Sequence, residues 1–271
     1  AIAMGYSCSA AAAYSAAIGN NSAGTGSQVA TGAGAMALGG SYASGVDSFA
    51  AAIGNNTSSY GALGASSIAI GDRALASGIN SSAVGGLLNI ASGTYSTALG
   101  GFGNTASGQF SIALGGYSVA AQYGKRAFAS GRFVVAGDAQ AGNMVLRSIT
   151  TNTTPAVLTS DGSSASTTNQ VILPNYSTFT FRIQVVAMQK RGGGSKTAGY
   201  EFTGVIVRGP GVASVLIKNS TKNVLYEDDA AWDCNVSADG VNGGLAITVT
   251  GAAATNIVWV ATVDTTEVTY L

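Results

Sequence analysis

A short pattern of large and small residues recurs along the first half of the chain. Each of eight copies ends in an alanine, a large apolar residue and a glycine, as in Ser111-Ile112-Ala113-Leu114-Gly115. The glycines of successive copies are 14, 20, 15, 17, 14, 15 and 15 residues apart. A repeat of this length with a fixed turn residue is typical of a solenoid, because one unit is too small to fold alone and buries its core only by stacking.

The alternation inside each copy predicts a β-strand with a small face and a large apolar face. In the copy quoted above, Ala113 lies on the small face, and Ile112 and Leu114 lie on the large face. We expect the small face to line a narrow interior and the large residues to point outward. The last large position is occupied in every copy, by Met4, Ile18, Leu38, Ile53, Ile70, Val84, Leu99 and Leu114.

A second, weaker Ala-x-Gly pattern precedes several copies, for example at Ala76-Ser77-Gly78 and Ala106-Ser107-Gly108. It predicts a second short strand in each coil, so that the coils form a flattened roll of two parallel sheets. We expect the glycines at the strand ends to supply the positive φ that the turns need. Four asparagines in the connections are expected to serve the same purpose, namely Asn20, Asn55, Asn80 and Asn104.

The outward apolar residues form a contiguous stripe, which would be an aggregation hazard on a monomer. The simplest arrangement that buries such a stripe places copies of the chain around a symmetry axis. Two other interpretations of the repeat fail on its residues. A disordered Gly/Ala/Ser linker would not keep the apolar position, and an ice-binding solenoid would need regular threonine ranks that are absent here.

The spaced Ser-x-Ala-x-Gly units, such as Ser67-Ile68-Ala69-Ile70-Gly71 and Ser96-Thr97-Ala98-Leu99-Gly100, resemble the head repeats of trimeric autotransporter adhesins of the YadA type. The resemblance covers about residues 1 to 137 and implies a left-handed parallel β-roll that associates as a homotrimer. The two long spacings imply enlarged loops at about residues 24 to 34 and 56 to 64. The weaker pattern after Gly115 implies a capping coil.

From about residue 142 onward the pattern becomes an ordinary alternation of apolar and polar residues, as in Phe179-Thr180-Phe181. Turns such as Ser160-Asp161-Gly162 separate the runs. They predict an antiparallel β-sandwich or jelly roll, with strands at about 170–173, 178–189, 200–208, 212–217, 223–227, 232–237, 244–250 and 256–270. The predicted fold is therefore all-β, with a repeat shaft over 1–141 and a C-terminal domain over 142–271.

Several stretches of this second half resemble a β-domain found at the C-terminal end of tail-fibre and capsid-fibre proteins of tailed phages. The resemblance implies a virion context and says little about a ligand. The stretches are Leu146-Arg147-Ser148-Ile149-Thr150, Gln170-Val171-Ile172-Leu173-Pro174-Asn175, Ala198-Gly199-Tyr200-Glu201-Phe202, and Ala231-Trp232-Asp233 through Asn242-Gly243-Gly244-Leu245 to Trp259-Val260-Ala261.

Composition excludes several classes of function. The net charge is zero, so there is no basic surface of the kind that binds nucleic acid or an anionic membrane. Glycine, serine or asparagine interrupts every apolar run before the ~20 residues that a membrane helix needs. The chain has no histidine, which excludes Ser-His and Cys-His nucleophiles and His-ligated metals. We expect Cys8 and Cys234 to be buried apolar residues, and we expect no cofactor or metal.

Two groups of residues are candidates for chemistry or binding. The acidic residues Glu227, Asp228, Asp229 and Asp233 could carry glycosidase chemistry only if two carboxyls faced one cleft, and a solvated turn is the favoured interpretation. The basic loop from Gln189 to Lys196, which is flanked by Tyr200, could contact an acidic surface sugar or could be a solubilising hairpin tip. Its candidate receptor contacts are Lys190, Arg191, Lys196 and Tyr200. We expect Trp232 and Trp259 to lie in the core.

Together the two resemblances imply a non-enzymatic, trimeric fibre segment of a tailed-phage virion, with a stiff shaft and a C-terminal domain for host attachment. Its expected partners are two further copies of the chain, a polysaccharide or protein receptor on the host cell and other virion proteins, with no nucleic acid and no membrane insertion. Three alternatives stay open: a capsid-attached fibre or decoration protein, a trimeric adhesin on a bacterial surface, and a tailspike-like depolymerase. The chain begins inside a repeat, which suggests that it is part of a longer polypeptide.

Overall fold

The computed structural model of the chain describes residues 1–5, 7–19, 28–51, 59–189 and 196–270. The described residues form β-strands and one short 3₁₀ helix at Val212–Ser214, and no α-helix. The all-β prediction is thereby confirmed. Two compact units divide the chain: residues 1–121 with 126–136, and residues 122–125 with 137–271.

The first unit is a parallel β-roll of short strands, as the repeat predicts. Odd-numbered strands pair in parallel to form one sheet, called sheet 1, and even-numbered strands form a second parallel sheet, called sheet 2. The strands are β1 (Ile2–Met4), β2 (Cys8–Ala10), β3 (Ala16–Ile18), β4 (Gln28–Ala30), β5 (Met36–Leu38), β6 (Tyr42–Ala43), β7 (Phe49–Ala51), β8 (Gly61–Ala62), β9 (Ile68–Asp72), β10 (Leu75–Ala76), β11 (Ser82–Leu87), β12 (Ile90–Ala91), β13 (Thr97–Phe102), β14 (Thr105–Ala106), β15 (Ile112–Gly116), β16 (Val119–Ala120) and β17 (Arg126–Ser130).

The interior of the roll is lined by small residues. Alanines at the centre of the sheet 1 strands, such as Ala83 and Ala98, are fully buried and pair in register from coil to coil. A serine that precedes each of several sheet 1 strands is also buried, at Ser15, Ser48, Ser67, Ser81, Ser96 and Ser111. The small face of the repeat therefore lines the interior, where small side chains let the two sheets pack closely.

The glycines of the repeat have two different roles. At the ends of sheet 1 strands they adopt positive φ, as predicted, for example +66° at Gly100. The glycines of the Ala-x-Gly pattern do not, contrary to expectation. A Cβ on Gly93 would lie 2.6 Å from the carbonyl carbon of Gly108 in the next coil, so glycine is needed there because the coils touch. The left-handed conformation in these turns falls on a later residue, such as Asn80.

Of the four asparagines predicted for left-handed turns, only Asn80 is observed there, with φ of 54°. Asn104 is fully buried and points into the roll, which corrects its assignment as a turn residue. Asn20 and Asn55 lie outside the described residues. The predicted enlarged loops also change, because strands β4 and β8 fall within residues 24–34 and 56–64.

The fourth copy of the repeat is out of register with the prediction. Strand β7 pairs Ala50 with the buried Ala37 and Ala69 of its neighbours, so that Ala51 takes the outward position next to Leu38 and Ile70. Ile53, to which the pattern assigned this position, lies outside the described residues. At the other end of the roll, β17 continues the sheet beyond the eighth copy, with five residues in register with β15.

The second unit is an antiparallel two-sheet sandwich, as predicted. Its strands are β18 (Ala139–Thr150), β19 (Ala156–Val157), β20 (Val171–Ile172), β21 (Ser177–Gln189), β22 (Thr197–Arg208), β23 (Val215–Glu227), β24 (Asp233–Asp239), β25 (Gly244–Thr250) and β26 (Ile257–Thr269). The large sheet has the order β18-β26-β21-β22-β23. In the small sheet β25 pairs with β19, β20 and β24.

Both sheets of the sandwich contribute to one hydrophobic core. Trp259 of β26 packs against Trp232, with ring centroids 5.9 Å apart, and both rings are buried as predicted. The indole N–H of Trp259 donates to Thr150 Oγ1 at 2.9 Å. The predicted run at 212–217 begins in the 3₁₀ helix and ends in β23, and β23 continues through the predicted run at 223–227. The long strand β18 was not among the predicted runs.

Candidate functional site

The apolar stripe on the outward face of sheet 1 is the first candidate functional surface. The side chains of Met4, Ile18, Ile70 and Leu99 are between 37% and 58% exposed. Their equivalents Leu38, Val84 and Leu114 are half-buried. The register places these residues side by side, for example Val84 next to Leu99 and Leu99 next to Leu114. Phe128 of β17 extends the stripe by one coil and is 56% exposed.

A second feature of the roll, missed by sequence reasoning, is a ladder of polar side chains in its interior. The amide nitrogen of Asn104 donates to the carbonyls of Gly100 and Gly115 at 2.8 Å and 2.7 Å. Asn89 does the same one coil earlier, to Gly85 and Gly100. The hydroxyl of Ser118 donates to Asn104 Oδ1 at 2.8 Å. These bonds give the carbonyls at the glycine turns a side-chain partner inside the roll.

Replacing Asn104 by alanine is expected to destabilise the roll by about 2 kcal/mol or more, because two buried carbonyls lose their donor. Hydrogen exchange of peptides from residues 97–121 should report the loss as faster exchange. Gln109→Ala serves as the control, since Gln109 is exposed at a turn and its φ is not in the left-handed region. Equal exchange in the Asn104 variant and the wild type would contradict a stabilising role of the ladder.

Each of the four acidic residues of the second unit has its own hydrogen-bond or ion-pair partner. Glu227 accepts a hydrogen bond from the Tyr200 hydroxyl at 2.5 Å. Asp228 accepts from the Tyr226 hydroxyl at 2.7 Å, Asp229 pairs with Lys196 at 2.9 Å, and Asp233 pairs with Lys222.

These partners also fix the protonation of the three aspartates. The Tyr226 hydroxyl lowers the pKa of Asp228, and the Lys196 ammonium lowers the pKa of Asp229. Burial works to raise the pKa of Asp233, but hydrogen bonding and charge from Lys222 lower it overall. All three are therefore ionised at neutral pH, whereas a glycosidase needs one carboxyl that is held protonated as its general acid.

The structure describes two of the four predicted receptor residues. Lys190 and Arg191 lie outside the described residues. Lys196 is exposed and paired with Asp229. Tyr200 is fully buried in the core beside Trp259, which corrects its assignment as a surface contact. Its side chain points inward because Tyr200 lies on the same face of β22 as Phe202 and Ile206, and that face is buried.

The two cysteines of the chain differ in burial. Cys234 is fully buried, as predicted, and burial raises the pKa of its thiol to about 12. Cys8 is only half-buried, and its Sγ lies 3.2 Å and 3.1 Å from the carbonyl oxygens of Met4 and Gly19. Cys8 thus packs against the alanine core of the roll, as an apolar residue does, and also contacts the carbonyls of a turn.

A buried ion pair in the second unit was also missed by sequence reasoning. Lys125 Nζ lies 2.8 Å from Glu267 Oε2, with both side chains less than a tenth exposed. Gln140 Nε2 donates to the same carboxylate at 2.7 Å, and Thr265 Oγ1 donates to its other oxygen at 2.7 Å. A carboxylate with three donors holds the segment 122–125 against strand β26.

The described residues contain no cluster of three or more histidine, cysteine, aspartate or glutamate side chains that could hold a metal ion. Within the same residues no helix is long and apolar enough to cross a membrane.

Comparison with solved structures places three phage proteins beside this chain. The tailspike protein gp49 of Acinetobacter baumannii bacteriophage Fri1, a capsular polysaccharide depolymerase, is 12% identical with a TM-score of 0.28, over 95% of this chain and 49% of that one. The Acinetobacter phage vB_ApiP_P1 tailspike is 11% identical with a TM-score of 0.26, over 98% and 54%. The Acinetobacter baumannii phage AM24 tailspike is 12% identical with a TM-score of 0.21, over 93% and 49%.

This chain thus spans about half the length of these tailspikes, and the TM-scores are too low to support an argument from them. Comparison with curated protein sequences finds no match. The family YadA head domain repeat (2 copies) matches residues 1–22, 62–87, 91–118 and 106–133. The match lies within the β-roll, which is therefore similar in sequence to the repeats of YadA heads.

Proposed function

We propose that this chain is part of a non-catalytic, homotrimeric fibre of a tailed-phage virion. The roll serves as its shaft, and the C-terminal unit contacts the host surface. The observation that carries the proposal is the outward stripe of sheet 1, because a row of half-exposed large apolar side chains along successive coils needs a partner surface. A second and third copy of the same stripe supply one with matching spacing.

The similarity of the roll to YadA head repeats supports the same arrangement. The virion setting rests on the resemblance of residues 142–271 to the C-terminal domain of phage fibres. A trimeric adhesin on a bacterial surface shares every feature of the roll and is the alternative. Tail and capsid attachment would differ only in what the fibre docks to. The aspartates near β23, each ionised and paired, give no support to a depolymerase.

Attachment by such a fibre works through avidity. Three identical weak sites on one particle bind a surface much more tightly than one, since the second and third contacts form at a high effective concentration. The expected receptor is a polysaccharide or protein on the host cell, and the expected neighbours are other virion proteins.

The purified protein is expected to have three times the 26.6 kDa mass of one chain in light scattering. Leu99→Asp should dissociate it to single chains, because three carboxylates would be buried at the centre of the shared apolar surface. Labelled wild type should bind host cells about 100-fold more tightly than this variant through loss of avidity. Ile79→Asp, at an exposed apolar residue outside the stripe, is the matched control. A wild type that is monomeric at micromolar concentration would refute the proposal.

A further inference from the structure

Two aromatic rings are stacked on the surface of the roll at the tight turns that lead from sheet 2 to sheet 1. Tyr95 lies between β12 and β13, and Phe110 lies at the same place one coil later. Their ring centroids are 4.9 Å apart and their planes differ by 5°. Tyr95 is 49% exposed and Phe110 is 43% exposed. The pair forms a flat apolar surface, here called the aromatic platform.

The backbone at both residues is in a conformation that bulky side chains disfavour. Tyr95 has φ of 58° and Phe110 has φ of 57°, in the left-handed region. Most other coils place at this turn position a residue that tolerates the region better, such as Gly34, Asp47 and Asn80, and Tyr14 is the third aromatic residue found there. Stacking offsets only part of the strain. Two large rings kept where asparagine or glycine would fold more easily indicate a role beyond stability.

The platform is fixed in place by the backbone ladder of the roll. The N–H of Tyr95 donates to the carbonyl of Ile79 at 2.9 Å, and the N–H of Phe110 donates to the carbonyl of Thr94 at 3.0 Å. The distance between the rings equals the spacing of neighbouring strands. A surface held in this way loses little freedom when a ligand binds, which favours affinity.

The side chains around the platform are polar and uncharged. Asn80 and Gln109 are exposed at neighbouring turn positions, and Thr94 is half-buried beside Tyr95. Between residues 59 and 121 the charged residues are Asp72, which ends β9, and Arg73, which follows it in the opposite connection to β10. Flat rings bind the C–H faces of sugars, and amides and hydroxyls bind sugar hydroxyls. The absence of neighbouring charge in this stretch disfavours an anionic polymer.

We propose that the aromatic platform binds a neutral saccharide chain. The inference rests on the proposed function in one respect, namely that a fibre for surface attachment meets such glycans, and it places a glycan site on the roll instead of on the C-terminal unit. A hydrophobic peptide segment is the competing ligand class, and it is an outcome of the test.

The test uses the double variant Tyr95→Asn with Phe110→Asn in the full chain. Asparagine is native at this position one coil earlier, so the variant is expected to keep the fold. Tyr14→Asn is the matched control, because Tyr14 has the same conformation, with φ of 59°, but faces Gly34 in the next coil. The probes are immobilised neutral oligosaccharides of glucose, galactose and N-acetylglucosamine, with heparin and a hydrophobic peptide library as comparisons.

We expect the wild type and Tyr14→Asn to bind at least one neutral oligosaccharide, and the double variant to bind it about tenfold or more weakly, with unchanged circular dichroism. No binding of wild type to any neutral oligosaccharide, equal binding by the double variant, or preference for the peptides or heparin would each overturn the inference. A trimer that attaches to cells but binds none of the neutral oligosaccharides refutes this inference alone. If the protein is monomeric but binds the oligosaccharides, the proposed trimeric fibre is refuted and the saccharide site is not.

Discussion

Alanine at Gly93 is expected to break the roll between two coils, with a loss of about 3 kcal/mol or more in stability. The added Cβ would lie 2.6 Å from the carbonyl carbon of Gly108 and 2.9 Å from the carbonyl oxygen of Ser107. These are backbone atoms of the next coil and cannot swing aside as a flexible side chain can. Hydrogen exchange of peptides from residues 59–121 should rise on both sides of the substitution.

The matched control for this variant is Gly131→Ala, in the same unit of the chain. Its Cβ would meet no atom within 4 Å, and its φ is not in the left-handed region. We expect it to change stability by less than about 0.5 kcal/mol. An equal melting temperature for Gly93→Ala, Gly131→Ala and the wild type would contradict this explanation. Glycine in the Ala-x-Gly pattern would then not be required by close contact between the coils.

The second large effect is expected at the buried ion pair of Lys125 and Glu267. Glu267→Gln keeps the shape of the side chain but leaves the Lys125 ammonium buried without a counter-charge. Breaking one partner of such a pair costs about 3 to 5 kcal/mol. Urea unfolding followed by tryptophan fluorescence isolates the effect, because the two tryptophans of the chain both lie in the core of this unit.

Two comparisons separate the charge from other effects of the substitution. The double variant Lys125→Met with Glu267→Gln should recover much of the loss, since it removes the unpaired charge as well. Glu201→Gln breaks the Arg182–Glu201 pair, whose arginine side chain is 63% exposed, and should cost no more than about 1 kcal/mol. A loss at Glu267 as small as that at Glu201 would show that the buried pair contributes little to stability.

The sequence was sufficient to predict the roll because alternation within each copy has a direct physical meaning. Its register failed once, at β7, where Ala-Φ-Gly also matches Ala52-Ile53-Gly54. A better signal is the spacing of the glycine of the tight turn and the buried serine three residues later, as in Gly45 and Ser48. Both are fixed by contact between coils, whereas the outward position tolerates even Ala51.

Most of the residues that were assigned wrongly or missed interact with partners that are distant in the sequence. Asparagine is a residue type that is common in turns, which is why Asn104 was assigned to one. Its amide instead donates to two carbonyls inside the roll, and this contact is visible only once the coils are stacked. The sequence could have placed Tyr200 inward, because Tyr200 is two residues from the apolar Phe202 and therefore shares its face of the strand. The Lys125–Glu267 pair is 142 residues apart in the chain, beyond the reach of any local pattern.

The equivalence of the coils has a consequence for how the molecule can evolve. Ala83, Ala98 and Ala113 are 15 residues apart and fill identical places in the interior. Unequal recombination between the corresponding stretches of the gene would add or remove whole coils. The packing between each remaining pair of neighbouring coils would be unchanged. The number of coils is therefore open to heritable variation without redesign of the core, and selection can adjust the reach of the molecule in steps of one coil.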